Sequence, residues 1–121
     1  MVYSFDITPR PKPRMTQKDK WDPRKAASDY WAYKDNLNLL ANLKQYRLKD
    51  TLDIIFYLPI PDSWSRKKKA SLWNKPHQQT PDIDNLIKGF IDALTSQDAN
   101  IHKITAKKIW YQKGKIEVFE D

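Results

Sequence analysis

Residues 80–94 read TPDIDNLIKGFIDAL, and the interpretation of the fold turns on them. Leu86, Ile87, Phe90, Ile91 and Leu94 recur at three- and four-residue spacing, the period of one helix face. A helix near residues 84–95 is therefore predicted, with this stripe against a core and Asn85, Lys88 and Asp92 on the opposite face. Asp84 lies one turn before Lys88 and joins that polar face. Asp82 follows Pro81, where an extended backbone is expected. Residues two apart in an extended segment point the same way, so Asp82 and Asp84 can converge on one point.

Working outward, TLDIIFYLP at residues 51–59 is rich in β-branched and aromatic residues and ends at Pro59, so it reads as a strand. VYSFDI, starting at Val2, alternates and reads as an edge strand. It is ended by Pro9-Arg10-Pro11-Lys12-Pro13-Arg14, whose alternating prolines exclude helix. Tyr30, Tyr33, Leu37, Leu40, Ala41 and Leu43 give helical spacing over about residues 26–47, with Ser28 and Asp29 as candidate caps. Residues 59–81 follow as a long polar loop carrying Arg66, Lys67, Lys68, Lys69 and Lys75 against a lone Asp62. A loop of that length in a small domain is functional or disordered. IHKITAKKIWY and KIEVF flank Gln112-Lys113-Gly114 and read as a hairpin, with Gly114 supplying the turn. The order β, α, β, basic loop, α, β, β predicts one α+β domain over residues 1–121. Two main helices would pack on a mixed or mostly antiparallel sheet.

Composition narrows the function. The net charge of +7 on 121 residues favours an anionic partner, with nucleic acid the usual one. The chain has no cysteine and only His77 and His102, which excludes disulfides and thiolate sites and argues against a histidine-rich zinc centre. An intracellular setting fits that cysteine usage. No apolar run approaches the roughly 18–20 residues needed to span a bilayer. Any metal here should be a hard ion held by carboxylates.

The cluster Asp82, Asp84 and Asn85 admits two readings. One such residue suffices to cap a helix and suit its dipole, and Asp84 with Lys88 can form a surface ion pair of little worth. Two close carboxylates, however, repel unless a cation lies between them. Mg²⁺ is bound through one or two carboxylates while keeping waters and substrate phosphate oxygens, with Mn²⁺ as the alternative. Such an ion suits phosphodiester hydrolysis, and a nearby lysine can stabilise the charge that grows on the phosphate.

PDIDNLIKGFIDAL resembles the P-D-[IL]-D-N-[LV]-x-K-x-x-x-D-A-L core of the RusA family, small bacteriophage and prophage endonucleases that resolve Holliday junctions. PDSWSRKKKASL followed by KPHQQTPDIDN is similar to the basic S-W-S-x-K-K-[KR] loop of many members, and PKPRMT to their proline-basic segment. The resemblance covers most of the chain with gaps. It implies a RusA-like fold, a Mg²⁺-dependent nuclease of DNA recombination and repair, a homodimer, and the cytoplasm of a bacterial host. It makes Asp82 and Asp84 metal-binding carboxylates and Lys88 the essential lysine. The family's third carboxylate lies beyond this helix in a turn ending D-D-x-Q-[VI]. Here QDANI makes Asp98 that carboxylate and Asn100 the counterpart of the glutamine. The turn is shorter, lacks the family's aromatic residue and has one Asp where the family has two, so Asp92 stands as the alternative.

A four-way junction has approximate two-fold symmetry, and a C2 dimer presents two equivalent sites to its opposed strands. Arg66 to Lys69, Lys75 and Arg14 of the amino-terminal arm would then lie along phosphates, which fix position without reading bases. Trp64, Trp73 and Tyr111 either stack on exposed bases or serve as core or dimer contacts. His77 is expected to be a polar contact rather than a ligand. Two other readings compete with the nuclease: a non-catalytic basic nucleic-acid-binding module in which D-x-D-N is a cap, and a basic protein-interaction subunit.

Overall fold

A computed structural model describes residues 1–14, 25–95 and 98–120, the side chain of Asp98 excepted. Strand β1 (Val2–Phe5) precedes helix α1 (Lys25–Leu43), strand β2 (Thr51–Pro59), helix α2 (Arg66–Leu72) and helix α3 (Ile83–Leu94). A 3-10 turn (Asp98–Asn100) then leads into β3 (Lys103–Tyr111) and β4 (Lys115–Phe119). The α+β class, the mixed sheet and the two long helices are as the sequence predicts. None of the helices among the described residues is long and apolar enough to cross a membrane.

The four strands form one sheet in the order β1-β4-β2-β3. β2 alternates strictly: Leu52, Ile54, Phe56 and Leu58 are buried on the helix side while the residues between them face outward. This most apolar strand takes a central position with both edges paired. β3 runs parallel to it, from Thr51↔Lys103 to Pro59↔Tyr111, and β4 runs antiparallel along its other edge, from Ile54↔Val118 to Tyr57↔Lys115. The expected β3–β4 hairpin is therefore absent; residues 112–114 instead carry the chain across the end of β2. Gly114 serves space rather than turn geometry. Its φ is not positive, and a Cβ there would meet Thr8 Oγ1 at 2.2 Å and Thr8 Cα at 2.5 Å.

Helices α1 and α3 cover one face of the sheet. Tyr30, Tyr33, Leu37 and Ala41 of α1 and Leu86, Phe90, Ile91 and Ala93 of α3 close over Phe5, Phe56, Ile116 and Val118. Ser28 and Asp29 lie inside α1 rather than capping it. There Asp29 pairs with Lys25, one turn back, and with Arg10 of the arm.

The stretch read as one polar loop is built in two parts. Residues 66–72 form α2, capped by the Ser65 hydroxyl, which accepts from Lys68 N–H at 3.2 Å. Its helix is missed by apolar periodicity because no α2 residue is buried. Residues 74–77 then run along the outer edge of β3. Asn74 N–H donates to Trp110 O, Trp110 N–H to Lys75 O, and His77 N–H to Lys108 O, at 2.9–3.0 Å. This segment satisfies an edge that would otherwise be exposed.

Candidate carboxylate site and nucleic-acid interface

The site gathers at the amino-terminal end of α3. A cis Thr80–Pro81 peptide leads into Asp82, the N-cap residue, whose backbone is extended (φ −67°, ψ 145°). Its carbonyl accepts the Leu86 N–H at 3.1 Å, yet its carboxylate makes no capping hydrogen bond. A carboxylate at that position normally takes a free N–H of the first turn; this one is left available. Asp84, in the first turn, accepts only its neighbour's Asn85 N–H at 3.0 Å among the contacts resolved. Both carboxylates are exposed, and both line a shallow depression of about 680 Å³ with His77, Gln78, Gln79 and Lys108. Asp82 also borders a second depression, whose far wall is Thr8 to Pro11 of the arm.

Lys88 stands one turn along from Asp84. Its ammonium lies 3.3 Å from Asp92 and is 58% exposed, so the pair is easily exchanged for another anion. Asp92 is also 3.5 Å from Lys12. Eight residues beyond Asp84, it sits about 12 Å further along the helix axis, too far to share an ion with Asp82 and Asp84. The backbone of Asp98 opens the 3-10 turn beyond the other end of α3. The whole of α3, twelve residues and so about 18 Å long, lies between it and Asp82 in the chain; its side chain is outside the described residues. No group of three His, Asp or Glu side chains among the described residues is placed to hold an ion.

The arm docks directly on this helix. Lys12 N–H donates to Asn85 O at 3.1 Å, Lys12 Nζ lies 5.0 Å from the Tyr30 ring centre, and the Tyr30 hydroxyl donates to Gly89 O at 2.9 Å. Burial, with the Asp92 charge adding to it, pushes the Tyr30 phenol up to about 12. Gly89 gives the arm its path, since a Cβ would lie 2.6 Å from Arg10 O and 3.0 Å from Lys12 N.

Arg66, Lys67 and Lys68 are exposed on α2, as are Lys75 after it and Arg14 at the end of the arm; Lys69 is half-exposed. A stack of rings joins this basic helix to the carboxylates. Lys68 Nζ lies 3.8 Å over Trp64, the Trp64 and Trp110 centroids are 5.3 Å apart, and those of Trp110 and His77 are 4.1 Å apart. Trp64 is thus engaged within the protein, whereas Trp73 is 41% exposed beside Tyr111. His77 is 6% exposed, and its Nδ1 has no hydrogen-bond partner among the described residues. Its burial, with the Lys108 charge second, lowers its basicity.

Lys108 is the site residue that sequence reasoning missed. Its ammonium donates to Gln79 O and to Pro81 O, both at 2.7 Å. The signal was present: Ile104, Ala106, Lys108 and Trp110 share one face of β3, and a lysine interrupts an otherwise apolar row.

The model of the endodeoxyribonuclease RusA family matches residues 4–119, nearly the whole chain. The chain belongs to the RusA endodeoxyribonuclease family. It is accordingly a DNA endonuclease, and the family match takes in the arm, the basic helix and the carboxylate site together. A comparison with curated proteins found no match.

Proposed function

We propose that this RusA-family chain is a divalent-metal-dependent, structure-specific endonuclease that resolves four-way DNA junctions by cutting opposed strands as a homodimer. The observation that carries the reading is the Asp82 carboxylate. It occupies an N-cap position without capping, and it opens with Asp84 onto one depression. The donor set fits a hard ion such as Mg²⁺ or Mn²⁺, because two carboxylate oxygens leave room for water and phosphate oxygens. When bound, such an ion would polarise the scissile phosphate and activate a water for attack.

The chain's own residues supply the rest. Asp82 and Asp84 would hold the ion, and the positive end of the α3 dipole would favour the phosphate brought beside it. Lys88 leaves Asp92 and donates to the phosphate as negative charge grows there. Arg66, Lys67, Lys68, Lys69 and Lys75, with Arg14 of the arm, hold the flanking phosphates. Asp98 serves as the third carboxylate. Because α3 lies between its backbone and Asp82 in one chain, it would have to come from the partner chain of the dimer to share that ion. Two such sites meet the two strands that resolution requires.

The test is cleavage of an end-labelled four-way junction with Mg²⁺ and with EDTA. Paired nicks only with the metal are expected. Salt-sensitive binding without cleavage under any divalent ion would favour the non-catalytic binding module instead.

A further inference from the structure

Lys108 occupies an unusual place. Its β3 register partner is Phe56, which is fully buried on the helix side of the sheet, so the lysine stem points toward the covered face. Withdrawing an ammonium from water is costly unless it is paired and hydrogen-bonded. Here the cost is offset by the carbonyls of Gln79 and Pro81 and by the charge of Asp82 close by. An apolar side chain of similar length would fill the same space, and one of the two carbonyl contacts is exposed and open to water. Folding alone does not call for this lysine.

Its contacts bracket the site. Gln79 and Pro81 directly precede Asp82, and the Lys108 carbonyl accepts the His77 N–H at 3.0 Å. Backbone and side chain of one β3 residue thus tie residues 77–81 to the sheet, and the same residue lines the depression that holds Asp82 and Asp84. We propose that Lys108 is a positioning residue of the carboxylate site, clamping the Gln79 and Pro81 carbonyls so that the Asp82 carboxylate faces the depression. This rests on the carboxylate-site reading above. Displacing a ligating group by about 1 Å costs roughly 10²-fold in rate, which sets the scale of the expected loss.

Lys108→Met keeps the stem and removes the ammonium. Its melting temperature and its junction affinity in EDTA should stay close to the parent's. Its kcat at saturating Mg²⁺ should fall about 10²-fold with KM for the junction unchanged. In the metal-free protein, hydrogen exchange of peptides spanning residues 77–84 should speed up about tenfold, a readout independent of activity. The chain contains no cysteine, so Lys108→Cys introduces a single thiol. Alkylating it with bromoethylamine rebuilds a lysine-like ammonium and should recover both kcat and exchange protection, whereas a merely space-filling role would show no such recovery. Parental kcat and parental exchange in Lys108→Met would overturn the proposal. Asp82→Asn, assayed alongside, separates the two failures. If it cleaves fully, the carboxylate site itself is wrong; if it is dead while Lys108→Met is fully active, only the role of Lys108 falls.

Discussion

Replacing Gly89 with alanine tests how firmly the arm is seated on α3. In an open helix the change would stabilise, since alanine is better than glycine by about 0.8–1.0 kcal/mol. Here the new Cβ would stand 2.6 Å from Arg10 O, about 0.8 Å short of the 3.4 Å at which ordinary contact begins. The obstacle is backbone, and it is pinned by the Lys12 N–H to Asn85 O bond and the Lys12–Asp92 pair. Overpacking of this kind costs about 1–3 kcal/mol, and breaking the hydrogen bond that seats the arm adds about 1 kcal/mol. Set against the helix-propensity gain, Gly89→Ala should destabilise by about 1–3 kcal/mol. At this chain length that lowers the melting temperature by roughly 4–12 °C. Thermal unfolding followed by circular dichroism gives the number. Gel-shift affinity for a junction should drop as well, because the arm carrying Arg10, Lys12 and Arg14 is displaced. A variant that melts at or above the parent would show that the arm does not bear on α3 and would refute the reasoning.

Asp82→Asn should abolish Mg²⁺-dependent cleavage while leaving stability within about 0.5 kcal/mol, since the carboxylate makes no cap bond and asparagine caps equally well; full cleavage would leave Asp82 a helix-start residue only. Lys67, Lys68 and Lys69 changed together to alanine should weaken binding to all sequences alike and flatten the log–log salt slope by roughly 0.9 for each phosphate that is no longer neutralised; an unchanged slope moves the DNA surface elsewhere. A mixed dimer of one Asp82→Asn chain and one Asp98→Asn chain should nick one strand, because one composite site then keeps every carboxylate. An inert mixed dimer would return Asp98 to its own chain's site, and loss of cleavage in Asp92→Asn alone would move the role to the helix.

The elements legible in the sequence were those whose side chains alternate between core and solvent. The β2 stretch was read to its ends because every second residue is buried, and α3 because Leu86, Phe90 and Ile91 keep one stripe. Strand pairing is a different kind of information. A short connection with a glycine suggests a hairpin locally, but the demand of β2 for two partners is a property of the whole sheet, and it separates β3 from β4. Helix α2 was invisible to periodicity for want of a buried face, although Ser65 followed by Arg66-Lys67-Lys68-Lys69 carried the cap and helix formers that build it. At the site, the spacing of Asp82 and Asp84 marked the start of α3, but the extended two-residue step expected there is not what joins them: only Asp82 is extended, and Ile83 and Asp84 already belong to the helix. Lys108 shows in the sequence only as a lysine in an apolar row; what it holds could not be read, because its partners lie 27 and 29 residues away in the chain. The placing of Asp82 and Asp98 at opposite ends of α3 was equally hidden, since a motif records order and not where a helix begins and stops.

The absence of any buried residue in α2 has a kinetic consequence. A seven-residue helix is too short to persist on its own propensity, and opening it exposes no core. Its unfolding is therefore a local event of low free energy, separate from global denaturation. Among the described residues, limited trypsin digestion, which needs an unfolded stretch beside arginine or lysine, should nick first between Arg66 and Lys69, and bound DNA should close that window. The strand of DNA lying on α2 would then be met by cations that it helps to set in order, and part of the binding energy would go into ordering that turn.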